Sequence, residues 1–142
     1  MTLSLQGQVA FITGGGSGLG AAAARRLAAD GAIVAINDLN LDAAKKVADE
    51  LGGLAFAFDV TDSAAFQSAV DTCVAQLGRL DIMINNAGIA PNDAASKMDL
   101  VMENMGKRMA GNIAEMEPTN YLLDLSDENW DRMIKVHLYG TF

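Results

Sequence analysis

The chain has 142 residues, 51% of them hydrophobic, and its 18 acidic and 10 basic residues give a formal net charge of −8. This composition is too apolar for a disordered chain, and the acidic balance leaves no basic stripe for a nucleic-acid backbone. The single cysteine excludes an internal disulfide and a cysteine metal cluster, and it is typical of a reducing compartment.

No apolar run approaches the roughly 20 residues that span a bilayer. The first residues, MTLSLQGQVAFIT, carry neither a basic region nor a processing site. We therefore expect a cytoplasmic protein with no membrane segment, no nucleic-acid partner and no bound metal.

Strands and helices alternate through the first 84 residues, and glycines mark most of the boundaries. Short apolar runs predict strands at 9–13, 32–36, 54–58 and 80–84. Alanine-rich or amphipathic segments predict helices at 21–30, 41–51 and 62–77, the last with Cys73 in its core-facing stripe. Such short connections are typical of right-handed βαβ crossovers. The sequence therefore predicts an α/β fold with a doubly wound parallel sheet and the strand order 3-2-1-4.

Residues 90–125 differ from this alternating part because they hold five of the eight methionines. Four of these methionines fall, together with Ile113, at helical spacing on one stripe: Met98, Met102, Met105 and Met109. A further amphipathic helix is predicted at 126–138, with Ser126 or Asp127 as its N-terminal cap.

A glycine-rich loop, TGGGSGLG at 13–20, joins the first strand to the first helix. Gly14 permits the turn out of the strand, Gly18 lets the backbone approach a phosphate, and Gly20 allows close packing of helix and strand. A mononucleotide P-loop is disfavoured because Ala21 and Ala22 stand where its Lys and Ser or Thr belong. The loop predicts a dinucleotide pyrophosphate site, with a purely structural turn as the alternative.

Asp38 follows the second strand, about twenty positions after the glycines. A carboxylate there accepts hydrogen bonds from both ribose hydroxyls and repels a 2′-phosphate. Leu39 and Ser17 stand where a cation would favour that phosphate. The pattern predicts NAD rather than NADP, and the alternatives are a solvated turn aspartate or an atypical NADP-dependent reductase.

Three motifs together resemble the short-chain dehydrogenase/reductase family. They are Thr13-Gly14-x-x-x-Gly18-x-Gly20, Asp59-Val60 after the third strand, and Asn85-Asn86-Ala87-Gly88 after the fourth. The resemblance covers about residues 6–90 and 126–142. It implies a Rossmann fold and hydride transfer between NAD(H) and a secondary alcohol or ketone.

The resemblance also implies individual roles around the cofactor. Asp59 would bind the adenine amino group, with Val60 against the ring, and Thr13 would tie the glycine loop to the turn after the fourth strand. The residues expected to bind the cofactor are Gly14, Ser17, Gly18, Leu19, Asp38, Leu39, Asp59, Val60, Asn86, Ala87 and Gly88.

The family's catalytic Ser and Tyr-x-x-x-Lys are absent from this sequence, since neither Tyr121 nor Tyr139 is followed by a Lys at the required spacing. The segment 136–142, VHLYGTF, resembles the family's Val-Asn-x-x-Gly-x-Phe. His137 therefore stands where the family commonly has an Asn that supports a proton relay. Two readings stay open for His137, a relay residue or a packed and hydrogen-bonded one.

We therefore expect residues 1–142 to be the N-terminal nucleotide-binding part of a longer chain, truncated after the helix that follows the fourth strand. An exposed fourth strand at the sheet edge supports this expectation. The Met-rich helical insert, at about 91–125, would be either a lid over an apolar substrate or a helix packed on the rest of the protein or a neighbouring subunit. The longer protein would be a homo-oligomeric enzyme, and the alternative is a non-catalytic dinucleotide sensor or scaffold.

Overall fold

The computed structural model describes residues 4–90, 94–120 and 124–141. The chain divides into two compact units. The first unit comprises Met1–Gly88 and Lys135–Phe142, and the second comprises Ile89–Ile134. Tyr121 and Phe142 lie outside the described residues.

The first unit is built on a four-stranded parallel sheet. Its strands are β1 (Val9–Thr13), β2 (Ile33–Asn37), β3 (Leu54–Phe56) and β4 (Ile82–Ile84). Their order is β3-β2-β1-β4, so β1 pairs with β2 on one side and with β4 on the other. All five residues of β1 are buried, as an apolar central strand requires. The predicted fold class and strand order are confirmed.

Three helices connect these strands. They are α1 (Gly18–Ala29), α2 (Leu41–Leu51) and α3 (Ser63–Leu77). The Asn40 side chain caps α2, and the Asp62 side chain caps α3. The prediction of 21–30 for the first helix was wrong at its start, because the last residues of the glycine loop already form the first turn of α1.

The predicted strand 54–58 was too long, because its pairing ends earlier. The last residue of β3 lies opposite Asn37, where β2 ends. The Phe58 N–H binds the side-chain Oδ1 of Asn37 at 3.2 Å rather than the backbone of a neighbouring strand. The strand predicted at 80–84 also begins late, at Ile82, because the Asp81 carboxylate accepts the Val9 N–H at 2.8 Å.

Two apolar clusters cover the two faces of the sheet. One lies between the sheet and helices α1 and α2, and includes Ile12, Ile36 and Val47. The other lies under α3 and includes Phe11 and the buried thiol of Cys73. Cys73 is therefore a core residue, as predicted, and burial raises the pKa of its thiol.

The second unit contains α4 (Ala94–Met109), a 3-10 turn at Ile113–Glu115 and α5 (Asp127–Ile134). Asn104 of α4 is buried, and its amide binds both the N–H and the carbonyl oxygen of Glu117 at 3.0 and 2.6 Å. These two hydrogen bonds hold the segment after the 3-10 turn beside α4.

Two predictions about the later helices were wrong in detail. Ile113 does not share the helical stripe of the methionines, because α4 ends at Met109 and Gly111 turns the chain with φ +82°. The helix predicted at 126–138 is α-helical only to Ile134, and a π-helical turn follows over Lys135–Tyr139. Ser126 caps this helix through its Oγ, which accepts the Asn129 N–H at 3.2 Å.

Candidate functional site

The glycine loop is shaped by contacts that a side chain would prevent. Gly14 has φ +61°, and a Cβ placed on it would come within 2.9 Å of the Ala87 Cα. A Cβ on Gly20 would overlap the carbonyl oxygen of Gly14. Gly18 has φ +52°, and no described atom lies within 4 Å of the place a Cβ would take. The loop therefore packs tightly against neighbouring backbone at Gly14 and Gly20, whereas the space beside Gly18 is open.

Thr13 joins this loop to the turn after β4. Its buried Oγ1 accepts the N–H groups of Asn86 and Ala87, each at 3.1 Å. The Asn86 side chain completes the link, because its Nδ2 donates to the carbonyl oxygens of Thr13 and Gly14 at 3.0 and 3.1 Å. The tie expected of Thr13 is present, and the Asn86 amide holds the loop as well.

Asp38 stands at the carboxyl end of β2 with its carboxylate turned to the glycine loop. Oδ2 accepts the Gly16 N–H at 3.0 Å, and Oδ1 accepts the Asn40 N–H at 3.0 Å. A Cβ on Gly16 would come within 2.8 Å of Oδ2, so a side chain there would displace the carboxylate. The side chain of Leu39, next in the chain, is 70% exposed. The carboxylate is thus fixed in position and keeps acceptor capacity on both oxygens.

Asp59 and Val60 follow β3. The exposed Asp59 accepts the N–H and the hydroxyl of Thr61, both at 2.9 Å. Val60 is buried, and a Cβ on Gly140 would come within 2.6 Å of its Cγ2. The structure accounts for Val60 as a packing residue beneath the π-helical turn, and its expected place against an adenine ring stays a prediction.

His137 lies in the π-helical turn and contacts the turn after β4. A Cβ on Gly88 would come within 2.7 Å of His137 Cε1, so the imidazole lies over the glycine. The residue is exposed. The structure therefore brings His137 beside the segment 86–88, which the resemblance places near the nicotinamide, and its role in a proton relay stays a prediction.

Asn37 supports the site in a way that the sequence did not predict. This side chain is buried, and its Oδ1 accepts the Phe58 N–H. The Asn37 carbonyl oxygen accepts the Gly15 N–H at 2.8 Å. Asn37 therefore connects the glycine loop to the chain after β3. The available signal was an amide at the end of an otherwise apolar strand.

These features share one edge of the sheet. The glycine loop, Asp38, Asp59 and the segment 86–88 follow the carboxyl ends of β1, β2, β3 and β4, where doubly wound sheets bind their ligands. In the residues that the structure describes, no group of three or more His, Cys, Asp or Glu side chains could hold a metal ion. Nor does any helix within those ranges combine the length and apolarity that a membrane crossing needs. Fold and site define a Rossmann-type unit with an NAD(P)-binding fold.

Comparison with known proteins agrees with this class. The sequence model of the short chain dehydrogenase family matches residues 8–114. The chain belongs to the short-chain dehydrogenase family, whose members are oxidoreductases.

The relatives include D-threitol dehydrogenase of Mycolicibacterium smegmatis, 36% identical over 97% of this chain and 45% of its own length. Another is 7alpha-hydroxysteroid dehydrogenase of Escherichia coli K12, 44% identical over 61% of this chain and 36% of its own. Among solved structures, 3-ketoacyl-(acyl-carrier-protein) reductase from Brucella melitensis, complexed with NADH, is 34% identical with a TM-score of 0.74. That match covers 97% of this chain and 47% of the reductase. The two relatives that match nearly the whole of this chain are thus about twice as long as it is.

Proposed function

We propose that this chain forms the nucleotide-binding part of an oxidoreductase that transfers a hydride between NAD(H) and a secondary alcohol or ketone. The observation that carries the proposal is Asp38, fixed between two backbone N–H groups at the end of β2 with no basic residue beside it. The relative solved with NADH supports the same cofactor.

Asp38 selects NAD through the ribose hydroxyls. Each carboxylate oxygen already accepts one N–H and can accept a hydroxyl in addition. A 2′-phosphate would instead meet a like charge, worth about 1 kcal/mol in water and about 4 kcal/mol at an effective dielectric constant of 20 for charges about 4 Å apart. Leu39 and Ser17 offer no cation to offset that repulsion. We therefore expect NADH to bind at least about tenfold more tightly than NADPH.

The start of α1 holds the pyrophosphate. The first turn of α1 contains no acidic residue, and within the described residues the Ser17 side chain makes no capping hydrogen bond. The backbone N–H groups of the first turn of α1 and the positive end of the helix dipole are therefore available to an anion. Gly18 leaves the open approach that such an anion needs, with Leu19 exposed beside it.

The turn after β4 and the π-helical turn serve the reacting end of the cofactor. Asn86, Ala87 and Gly88 line the ribose and nicotinamide, and the bound nicotinamide accepts or supplies the hydride. Asp59 binds the adenine amino group, with Val60 behind the ring. The His137 imidazole, lying over Gly88, carries a proton between water and the catalytic group.

The remaining catalytic groups belong to a second half of the protein. The printed sequence contains no Tyr-x-x-x-Lys, and the relatives are about twice as long as the part that matches. Among the described strands β4 pairs only with β1, and Met83 is partly exposed at this edge. Residues 1–142 would then bind NADH and show little or no turnover alone. We place the whole protein in the cytoplasm as a homo-oligomer that acts on a small alcohol or ketone.

The test compares NADH and NADPH binding to the 142-residue chain by fluorescence titration, for the wild type and for Asp38→Asn. Loss of the charge should weaken NADH binding and improve NADPH binding, so that the preference falls by at least about tenfold. Asp42→Asn, which removes an exposed acid in the first turn of α2, is the matched control and should change neither. Tighter binding of NADPH than NADH by the wild type would contradict the proposal.

A dinucleotide sensor is the second candidate, because the glycine loop and the fixed Asp38 carboxylate would be sufficient to bind a dinucleotide without any catalytic group. The sensor and the enzyme share the binding result and differ in turnover by the whole protein. Oxidation of NADH in the presence of a panel of ketones, or reduction of NAD with alcohols, favours the enzyme. Tight NADH binding with no turnover across the panel favours the sensor.

A further inference from the structure

A groove runs along one face of α4 in the second unit. Its lining residues on α4 follow the spacing i, i+3, i+4, i+7 and i+8, which places them on one side of the helix: Val101, Asn104, Met105, Arg108 and Met109. Met116 and Thr119, from the segment after the 3-10 turn, form the other wall. The volume of the groove is about 640 Å³, which is the size of a small-molecule site.

Asn104 fixes the distance between the two walls of the groove. Its side chain is buried, with its Nδ2 donating to the Glu117 carbonyl oxygen at 2.6 Å and its Oδ1 accepting the Glu117 N–H at 3.0 Å. Glu117 follows Met116 directly, so these two hydrogen bonds hold the second wall beside α4. The groove is therefore formed by contacts within the chain, before any ligand binds.

The groove leaves apolar surface open to solvent. The side chains of Met105 and Met109 are 56% and 82% exposed. Leucine is more common than methionine in the chain as a whole, yet the apolar side chains of the groove are three methionines and Val101. Unbranched methionine side chains adapt their shape to an apolar partner, so this lining suits a flexible aliphatic chain.

Arg108 gives the groove a single positive charge. The other arginines of the chain all donate to an acceptor within it: Arg25, Arg26, Arg79 and Arg132. Arg108 has no such acceptor among the residues that the structure describes, although the chain carries a net charge of −8. A guanidinium binds a carboxylate through two parallel hydrogen bonds. An unpaired arginine beside an apolar groove therefore matches a ligand with one anionic end.

The carboxylates near this end of α4 serve Lys107 rather than Arg108. Glu103 pairs with Lys107 at 2.8 Å. The hydrogen bond from Glu103, and the weaker charge effects of Glu117 and Glu115, raise the pKa of Lys107. None of the described residues that line the groove is acidic. An anionic ligand on Arg108 would therefore meet no carboxylate in the lining.

We propose that this groove binds an aliphatic carboxylate of the fatty-acid class, with its carboxylate on Arg108 and its chain between Met105 and Met116. Arg108 is exposed, so the ion pair is screened by water and the aliphatic chain supplies much of the affinity. None of the lining residues belongs to the proposed cofactor site, and the binding test needs no NADH.

Calorimetric titration of the 142-residue chain with hexanoate, octanoate and decanoate, each below its micelle concentration, tests the groove. We expect saturable binding of one decanoate per chain, with affinity rising by up to about fourfold for each added methylene. Decanol, which has the same chain and no charge, should bind about fivefold more weakly. No saturable binding of decanoate, or binding of decanol as tight as that of decanoate, would overturn the proposal.

Two variants with matched controls on α4 locate the site. Arg108→Gln should weaken decanoate about fivefold and leave decanol unchanged, whereas Lys107→Gln, which removes the same charge one residue away, should change neither. Met105→Gln should weaken both ligands at least about threefold, and Met102→Gln, an exposed methionine outside the groove, should weaken neither. Equal effects of a variant and its control would contradict the proposal. Circular dichroism confirms that each variant is folded.

Discussion

Thr13 offers a sharp test of how the site is built. Its buried hydroxyl accepts two N–H groups, those of Asn86 and Ala87, and donates to the Ile84 carbonyl oxygen at a longer 3.4 Å. Thr13→Val keeps the size of the side chain and removes all three hydrogen bonds. Thr13→Ser keeps the hydroxyl and removes one methyl group.

The two substitutions should differ in the free energy of unfolding. An unsatisfied buried N–H costs about 1–3 kcal/mol. In Thr13→Val the Ala87 N–H loses its acceptor, whereas the Asn86 N–H keeps the Ile84 carbonyl oxygen at 3.1 Å, so the substitution should cost about 2 kcal/mol. Loss of one buried methyl in Thr13→Ser should cost about 1 kcal/mol. Against the roughly 5–15 kcal/mol stability of a typical domain, both changes can be measured.

Urea unfolding of the 142-residue chain, followed by circular dichroism, gives the comparison. Equal or greater stability of Thr13→Val relative to Thr13→Ser would refute the role assigned to the hydroxyl. Because Asn86 and Ala87 also lie at the proposed cofactor site, Thr13→Val should weaken NADH binding more than Thr13→Ser does.

Three further outcomes follow from the structure. Gly20→Ala should destabilise the chain in urea although alanine favours helices, because the new Cβ would overlap the Gly14 carbonyl oxygen. Gly106→Ala, whose Cβ meets no described atom within 4 Å, should instead stabilise the chain by about 0.5–1 kcal/mol. Equal effects of the two substitutions would contradict the role of packing at Gly20. The Arg79 guanidinium, and after it the Val9 N–H of β1, hold the pKa of Asp81 below its ordinary value of 3.8. The ionised Asp81 therefore stabilises the folded chain above about pH 4, and this contribution is lost as the pH falls through the lower pKa of the folded state. The stability difference between wild type and Asp81→Asn should therefore shrink on acidification, and a difference that grows would contradict the assignment. Cys73, buried and with a raised pKa, should react slowly with a thiol reagent until urea unfolds the chain, and rapid labelling of the folded protein would be inconsistent with its burial.

The sheet and its order could be predicted because their signals are local. Apolar runs, glycine breaks and short connections permit few topologies, and the order β3-β2-β1-β4 is one of them. The tight turn at the loop glycines and the place of Asp38 at the end of β2 could be predicted for the same reason, because both depend on a few neighbouring residues.

The features that the sequence did not reveal arise where one segment depends on a distant one. β3 ends where β2 ends, because Asn37 is the last residue of β2 that pairs with it. The Asn37 side chain then accepts the N–H of Phe58, which lies 21 residues further along the chain. The hold of Asn86 on the glycine loop spans more than 70 residues. The close contact of Gly140 with Val60 depends on the π-helical turn that precedes Gly140, which no local pattern predicted. Such contacts depend on tertiary packing, which composition and periodicity do not encode.

The central claim is that the carboxyl edge of this sheet binds NADH. Amide chemical-shift mapping of the 142-residue chain by NMR during titration with NADH tests it most directly. We expect saturable shifts concentrated in residues 14–20, at Asp38 and Asp59, and over residues 86–88, with small shifts along α4. Saturable binding whose shifts fall elsewhere, or the absence of any saturable shift at this edge, would contradict it.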